Sequence, residues 1–244
     1  MALVETEGLV LKSYNLAEAD KIVVFLTKDH GVVRGVAKGA KRLKSKFGSG
    51  LEPFSTVQVT YFQKDSVELV SIQKVELVRS SFREASDPEF LRKFSYFSDL
   101  LVSMLPPHDP SELLYRMFGA CLVTALPEPR AYTAVGVYFE LWLLRLAGYL
   151  PDWSRCHRCG GALEQQGDLP VSPDFHINCG NCARSRSGFI VSGGERELAA
   201  MALVLSPNDF YLASGTREIE LKGLSATFKR MISKAIGREV QASS

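Results

Sequence analysis

No stretch of this sequence is both long enough and apolar enough to cross a bilayer. The greasiest, Ala134 to Leu150, is broken by Glu140 and Arg145 and is short for a span. The N-terminal segment, Met1 to Tyr14, alternates polar and apolar residues and lacks the basic start and apolar run of a signal peptide. These absences predict a soluble cytoplasmic chain with no membrane partner. Charge of one sign is also missing: the formal net charge is only +2, so overall balance does not identify a partner. There is no phosphate-binding Gly-x-x-x-x-Gly-Lys-Ser/Thr loop, no nucleophile elbow and no zinc-protease helix. The His, Glu and Pro-Cys-x-x-Cys pattern of zinc deaminases is absent too. Cysteine is scarce, at five residues, and a cytosolic chain has little use for disulfides. Repeats and low-complexity segments are lacking.

What is present is a globular composition. Apolar residues make up 46% of 244, enough for a real core and enough chain for one large domain or two small ones plus a minidomain. Residues 1–80 read as strands: Leu3 to Tyr14, Lys21 to Thr27, Val32 to Ala37, an alternating run around Val57, Val59 and Tyr61, and Val67 to Val78. Asp29-His30-Gly31 reads as a hairpin turn, with glycine supplying a positive φ. Gln63-Lys64-Asp65-Ser66 reads as another. The last strand switches phase between Val67 and Leu69 on one parity and Val70 and Ile72 on the other, as a bulge produces. Five strands with the longest connector, Lys38 to Pro53, after the third match an OB barrel. Another small barrel, such as an SH3-like one, is the alternative.

From residue 87 the period becomes helical. Asp87-Pro88 and Asp109-Pro110-Ser111-Glu112 read as helix starts with acidic caps. A helix from Pro129 to Ala147, apolar on most faces and stopped by Gly148, reads as the centre of a bundle. Ser192-Gly193-Gly194-Glu195 is a capping box opening a helix to Leu203. Ser206-Pro207 starts a short helix. The last runs from Lys222 to Ile236 and is closed by Gly237, leaving a frayed tail from Glu239 to Ser244.

Two features carry chemistry. Cys156-His-Arg-Cys159 and Cys179-Gly-Asn-Cys182 are separated by 19 residues. Each turn aims two sulfurs at one point, and together they can complete a tetrahedral thiolate site for zinc, with Gly160 and Gly180 relaxing the backbone. The segment between could not form a core alone, so a metal would organise it. A redox dithiol is the alternative reading of either pair. Four thiolates leave no open position for water, so the zinc would be structural. His157 and His176 are nearby spare donors, either of which could replace a cysteine, and Cys121 falls in an apolar helical run. The second feature is basic. No acid occurs between Asp29 and Glu52, while Arg34, Lys38, Lys41, Arg42, Lys44 and Lys46 place six cations in 13 residues. Clustered Lys and Arg neutralise phosphates, and nearby aromatics (Tyr14, Phe47, Phe54, Tyr61) could stack bases. A solvated, mobile loop is the bland alternative.

Several blocks resemble the RecO family of bacterial DNA-repair proteins: Glu7-Gly8-Leu9-Val10-Leu11, Glu18-Ala19-Asp20-Lys21-Ile22, His30-Gly31-Val32, Ala37-Lys38-Gly39-Ala40-Lys41-Arg42 and Leu51-Glu52-Pro53-Phe54. The paired cysteines ahead of a glycine-rich, helix-opening segment resemble it as well. Some family members have lost cysteine ligands; this sequence keeps all four. The resemblance covers almost the whole chain in the same order. It implies an α+β multidomain protein: a five-stranded OB-fold barrel at 1–80, a helical domain at 81–150 and 192–244, and a zinc minidomain inserted at 151–191. It implies binding of single- and double-stranded DNA, strand annealing, action on DNA coated by single-strand binding protein, and cooperation with RecR to load RecA. It also implies a nucleoid-associated location and no enzymatic activity. By carry-over, Arg34 to Lys46 become the DNA contacts. The rival readings are an RNA-binding or transcription-associated OB and zinc-ribbon protein, a thiol oxidoreductase or zinc hydrolase, and a zinc-containing adaptor with little DNA binding.

Overall fold

A computed structural model describes residues 2–63, 68–81, 86–163, 167–183 and 189–237. The turn expected at 63–66 and the frayed tail at 239–244 fall wholly or mostly outside these residues. By internal contact the chain forms two compact units, the first ending at Pro129 and the second beginning at Arg130.

The first unit is built on five strands: β1 (Ala2–Leu16), β2 (Asp20–Thr27), β3 (Gly31–Ala37), β4 (Thr56–Gln63) and β5 (Leu69–Arg79). They close into a barrel in the order β1-β2-β3-β5-β4, with β4 returning to β1. All pairings are antiparallel except β3 with β5. This is the OB topology that the strand count and long connector predicted. Alternate residues fill the interior, among them Val10, Val23, Phe25, Val33, Val57, Val59 and Tyr61.

The expected phase switch in β5 exists but lies further along. Val70 and Ile72 face the interior, the register slips between Lys74 and Ile72 opposite Thr60 and Tyr61, and Val75 is the next inward residue. Gln73 is therefore the bulge, and Leu69 is an outward residue at 39% exposure. A second bulge in β1, at Leu11 between Val10 and Lys12, lets Leu9, Val10 and Leu11 all be buried in succession. At the β2–β3 turn Gly31 takes φ +63°, and a Cβ there would lie 2.1 Å from the Asp109 carbonyl oxygen.

Two helices complete this unit: α1 (Pro88–Met104) and α2 (Glu112–Ala125). Asp87 caps α1 as expected, accepting from the Glu89 N–H at 2.9 Å. The cap of α2 is Ser111 rather than Asp109, with its hydroxyl accepting from the Leu114 N–H at 3.4 Å. Asp109 instead supplies backbone that packs onto Gly31. Phe90, Phe94, Phe97 and Leu101 recur at helical spacing and bury one face of α1. Phe94 meets Phe118 of α2 at 6.0 Å, and Phe90 meets Phe54 at 5.6 Å between ring centres.

The second unit holds α3 (Tyr132–Leu146), α4 (Gly193–Val204), α5 (Pro207–Ser214) and α6 (Glu218–Ile236), with the short hairpin β6 (Leu169–Val171) and β7 (Phe189–Val191). A single 3-10 turn, Pro129–Ala131, precedes α3. Helix α3 is buried on most of its faces, as its all-round apolar sequence predicts. Trp142 donates to the Ala202 carbonyl at 2.9 Å and Tyr138 to the Leu205 carbonyl at 3.2 Å, tying α3 to the end of α4. The capping box at Ser192 and Glu195 forms with both bonds in place. Helix α6 starts four residues before Lys222, and Gly237 ends it.

Gly31→Ala should lower the urea midpoint with an unchanged m-value, at a cost of about 1–3 kcal/mol for the left-handed residue alone. An unaltered midpoint would show that the turn and the 109 segment do not constrain one another.

Candidate metal centre and nucleic-acid surface

The metal centre is assembled from two tight turns. Cys156 accepts at its carbonyl from the Gly160 N–H at 2.8 Å, and Gly160 takes φ +70°, the positive φ that lets the chain turn back after Cys159. At the other turn the Cys182 N–H donates to the Cys179 carbonyl at 2.9 Å; Gly180 stays outside the left-handed region. The His157 N–H donates to the Ile177 carbonyl at 2.9 Å and holds the two turns side by side.

The four sulfurs of Cys156, Cys159, Cys179 and Cys182 consequently lie within 4.8 Å of one another. Cys159 Sγ and Cys179 Sγ are 3.9 Å apart. A tetrahedron with metal–sulfur bonds of about 2.3 Å has edges of about 3.8 Å, so the spacing suits a tetrathiolate metal ion. Electrostatics points the same way. Burial opposes a charged Cys156, but the N–H groups of Cys179, Cys159 and Arg158 outweigh it and bring that thiol down to about 6. The Cys182 thiol is held up at about 12 by its hydrogen bonds to Cys179 and Cys159, with burial and the neighbouring Cys156 adding to the effect. Thiols this close cannot all ionise unaided, and a metal ion held by the four sulfurs would supply the missing positive charge. Cys121 is fully buried and its thiol is pushed up by that burial, so it stands apart as core.

His157 and His176 are not in the sulfur cluster. They stack on each other, ring centres 3.8 Å apart and planes 14° from parallel. Burial, then the neighbouring His157, lowers the pKa of His176.

The minidomain also has apolar support that spacing alone does not reveal. Trp153 stacks on Phe228 of α6 at 5.8 Å and donates to the Phe175 carbonyl at 3.0 Å. Leu163 and Ile177 are fully buried. Arg196 of α4 donates to the carbonyls of Leu163 (2.7 Å) and Gly167 (2.8 Å), clamping the first turn to the helices. Lys234 of α6 reaches Asp174 at 2.5 Å and lies over the Phe175 ring. No signal in the sequence marks Arg196.

Of the basic residues, Lys38, Lys41, Arg42, Lys44 and Lys46 are brought together on the β3–β4 connector, all exposed. Arg34 lies apart on β3 and pairs with Glu68 at 3.2 Å. The connector is a series of turns pinned to the barrel. Gly39 N–H donates to Asp20 at 2.7 Å, Lys41 N–H to the Ala19 carbonyl at 2.9 Å, and Lys41 Nζ to the Ala17 carbonyl at 3.3 Å. Phe47 and Leu51 insert into the barrel interior. Of the aromatics expected near the site, Phe47, Phe54 and Tyr61 are buried at 3%, 1% and 1%, and only Tyr14 is open, at 49%. No described helix is long and apolar enough to cross a membrane.

An OB barrel bearing an ordered cationic connector and a helical unit with a four-cysteine cluster that could hold a metal ion fit a multidomain protein of the OB-fold class. The comparisons narrow it. A family profile described as Recombination protein O N terminal matches residues 1–81, and one described as Recombination protein O C terminal matches residues 86–238. The protein named DNA repair protein RecO from Koribacter versatilis is 32% identical over 164 residues, 67% of this chain and 66% of that relative. That of Anaeromyxobacter sp. (strain K) is 27% identical over 248 residues, 99% of this chain and 88% of the relative. The chain belongs to the RecO family, whose role is in DNA repair and recombination.

Arg196→Ala should destabilise the second unit by about 2–4 kcal/mol, because two charge-assisted bonds are lost and the carbonyl of the buried Leu163 is left without its partner. It should also speed metal exchange with a chelator. Wild-type exchange rates in the variant would separate the clamp from the metal centre.

Proposed function

We propose that this protein is a non-enzymatic recombination mediator. It binds single- and double-stranded DNA through the β3–β4 connector, anneals complementary strands and, with RecR, helps load RecA on DNA coated by single-strand binding protein. The observation that carries this reading is the acid-free stretch of the connector from Lys38 to Leu51, whose five exposed cations are held on the outside of an OB barrel by a buried Phe47 and Leu51. Lys and Arg side chains fixed in this way neutralise phosphates without reading sequence. With the repulsion between two backbones screened, base pairing itself supplies the free energy of annealing. No bond in the DNA is made or broken, so no nucleophile or catalytic metal is needed. The four cysteines hold a structural zinc ion, since four thiolates leave no position for substrate or water. The division of the chain by role follows the sequence: DNA binding in 1–80, partner binding in the helical segments 81–150 and 192–244, and the zinc minidomain between them at 151–191.

One observation favours a second reading. With Phe47, Phe54 and Tyr61 buried, the barrel offers few ring faces to a single strand. A zinc-containing adaptor with little DNA binding would have that property.

A salt titration separates the two. Anisotropy of a labelled single strand should give a log–log slope near −4 if about six phosphates are neutralised, at about −0.7 each. Lys38→Ala, Lys41→Ala and Arg42→Ala together should bring the slope to about −2 and slow annealing in parallel. An unchanged slope and annealing rate in the triple variant would remove the connector from the site.

For the metal, mercurial titration of the native protein should release about one equivalent of zinc per chain as four thiols react. Lowering the pH should release it as well, because protons compete for the thiolates. Loss of metal with no change in the near-UV circular dichroism would contradict a structural role.

A further inference from the structure

The stacked histidines of the metal minidomain border open space that the four sulfurs do not use. A concavity of about 550 Å³ is lined by His157, Arg158, Asn178 and Cys182. His157 and Arg158 are exposed, and Asn178 is half-buried. His157 lines this concavity and His176 does not, so His176 backs the His157 ring from the far side, with ring centres 3.8 Å apart. Both rings are carried on fixed backbone. The His157 N–H is held by the Ile177 carbonyl. The His176 N–H donates to Ser172 Oγ at 3.2 Å, and the His176 carbonyl accepts from the Ser172 N–H at 2.9 Å. His157 thus offers a braced, flat ring at an open surface. Among the described residues, no carboxylate pairs with the neighbouring Arg158 guanidinium.

We propose that this concavity of the metal minidomain receives one unpaired nucleobase of a bound strand. His157 stacks on the face of the base, and Arg158 and Asn178 donate to acceptors on its edge. The assignment rests on the DNA-binding reading above and adds to it a second contact, in the other unit of the chain. The ligand chemistry follows from what surrounds the ring. A divalent ion held by four thiolates leaves a net negative charge, which disfavours a phosphate or carboxylate against Cys182 and leaves a neutral base unaffected. A planar guanidinium and a carboxamide beside a flat ring are the groups that recognise a heterocycle with acceptors on its rim. A base exposes its faces only when it is out of the duplex, so the contact selects unpaired nucleotides and is independent of salt. The connector's cations, which act on phosphates, do neither.

The test uses the zinc-loaded full chain, with metal content measured for every variant. Wild type, His157→Ala and His157→Phe are titrated with a thymidine oligonucleotide at several salt concentrations, and again with an abasic strand of equal length that keeps the phosphates. His157→Ala should weaken binding to thymidine roughly 5- to 150-fold at every salt concentration, the range for one lost base stack, and leave the salt slope unchanged. His157→Phe should bind like wild type, and on the abasic strand the three proteins should be equal. Arg158→Ala should likewise weaken binding to thymidine alone, with no change of slope. His157→Trp gives a second readout, and decides the matter where His157→Ala fails to hold its zinc: fluorescence added by the new indole should be quenched by the thymidine strand and not by the abasic one. Wild-type affinity in His157→Ala, an equal loss on both strands, or an unquenched indole would overturn the base site while leaving the connector's role intact. Absence of salt-dependent binding by the wild type to either strand would instead sink the DNA-binding reading itself.

Discussion

Among the described residues, Phe47 and Leu51 are the buried members of the barrel core that do not come from a strand, and Ala40 packs against that core from the same connector. The topology explains why they are needed. Strand β3 pairs with β5, whereas β4 pairs with β1, so the chain must leave β3 and cross the barrel before β4 can begin. The crossing segment is rich in cations and would gain nothing by packing them. Two buried apolar side chains, each worth about 1.5–3 kcal/mol, give it a fixed course, and the Asp20 and Ala19 contacts hold its near end. The cations are therefore displayed from an ordered backbone. Less conformational entropy would remain to be lost were phosphates to bind there, as proposed.

A similar division of labour operates in the second unit. The metal centre closes two turns, yet the segment around it is not held by sulfur alone. Trp153 on Phe228, the buried Leu163 and Ile177, and the Arg196 clamp on two carbonyls join the minidomain to α4 and α6. A cation among the sulfurs would relieve the opposition between Cys156, drawn down, and Cys182, held up. A metal held there and the apolar packing would act on different parts of the same segment. The sulfurs would fix the turn tips, while the aromatic and arginine contacts fix its attachment to the helices.

Much of this was legible in the sequence because it depends on local rules. The two Cys-x-x-Cys pairs, the capping box at Ser192, the helix stops at Gly148 and Gly237, and the strand alternation in β4 involve residues close in the chain. What was hidden depends on distant partners. Asp109 looks like the better cap for α2, but its backbone packs onto Gly31 and the capping falls to Ser111. The slip in β5 comes at Gln73 rather than at Leu69, because the register across β4 decides which residues face inward. Helices α1 and α2 belong by contact with the barrel, since the phenylalanine stripe of α1 meets Phe54. Composition places a change of period near residue 80, while the contacts divide the chain at 129. The aromatics were the least readable: four stood near the basic segment, and only the fold separates three core rings from Tyr14.

On the proposed function, the protein must release DNA as readily as it takes it, and the distribution of charge bears on this. With a net charge of +2, the molecule as a whole would exert little pull on a polyanion, and the proposed contact is local, at the cations from Lys38 to Lys46. Binding through a few phosphates falls steeply with salt, so such a contact is reversible at cellular ionic strength. Any base-stacking component would behave differently, because it is indifferent to salt and exists only while bases are unpaired. On the proposed function, annealing would remove it, so the duplex product would be held more weakly than the single strands and release would need no chemical step.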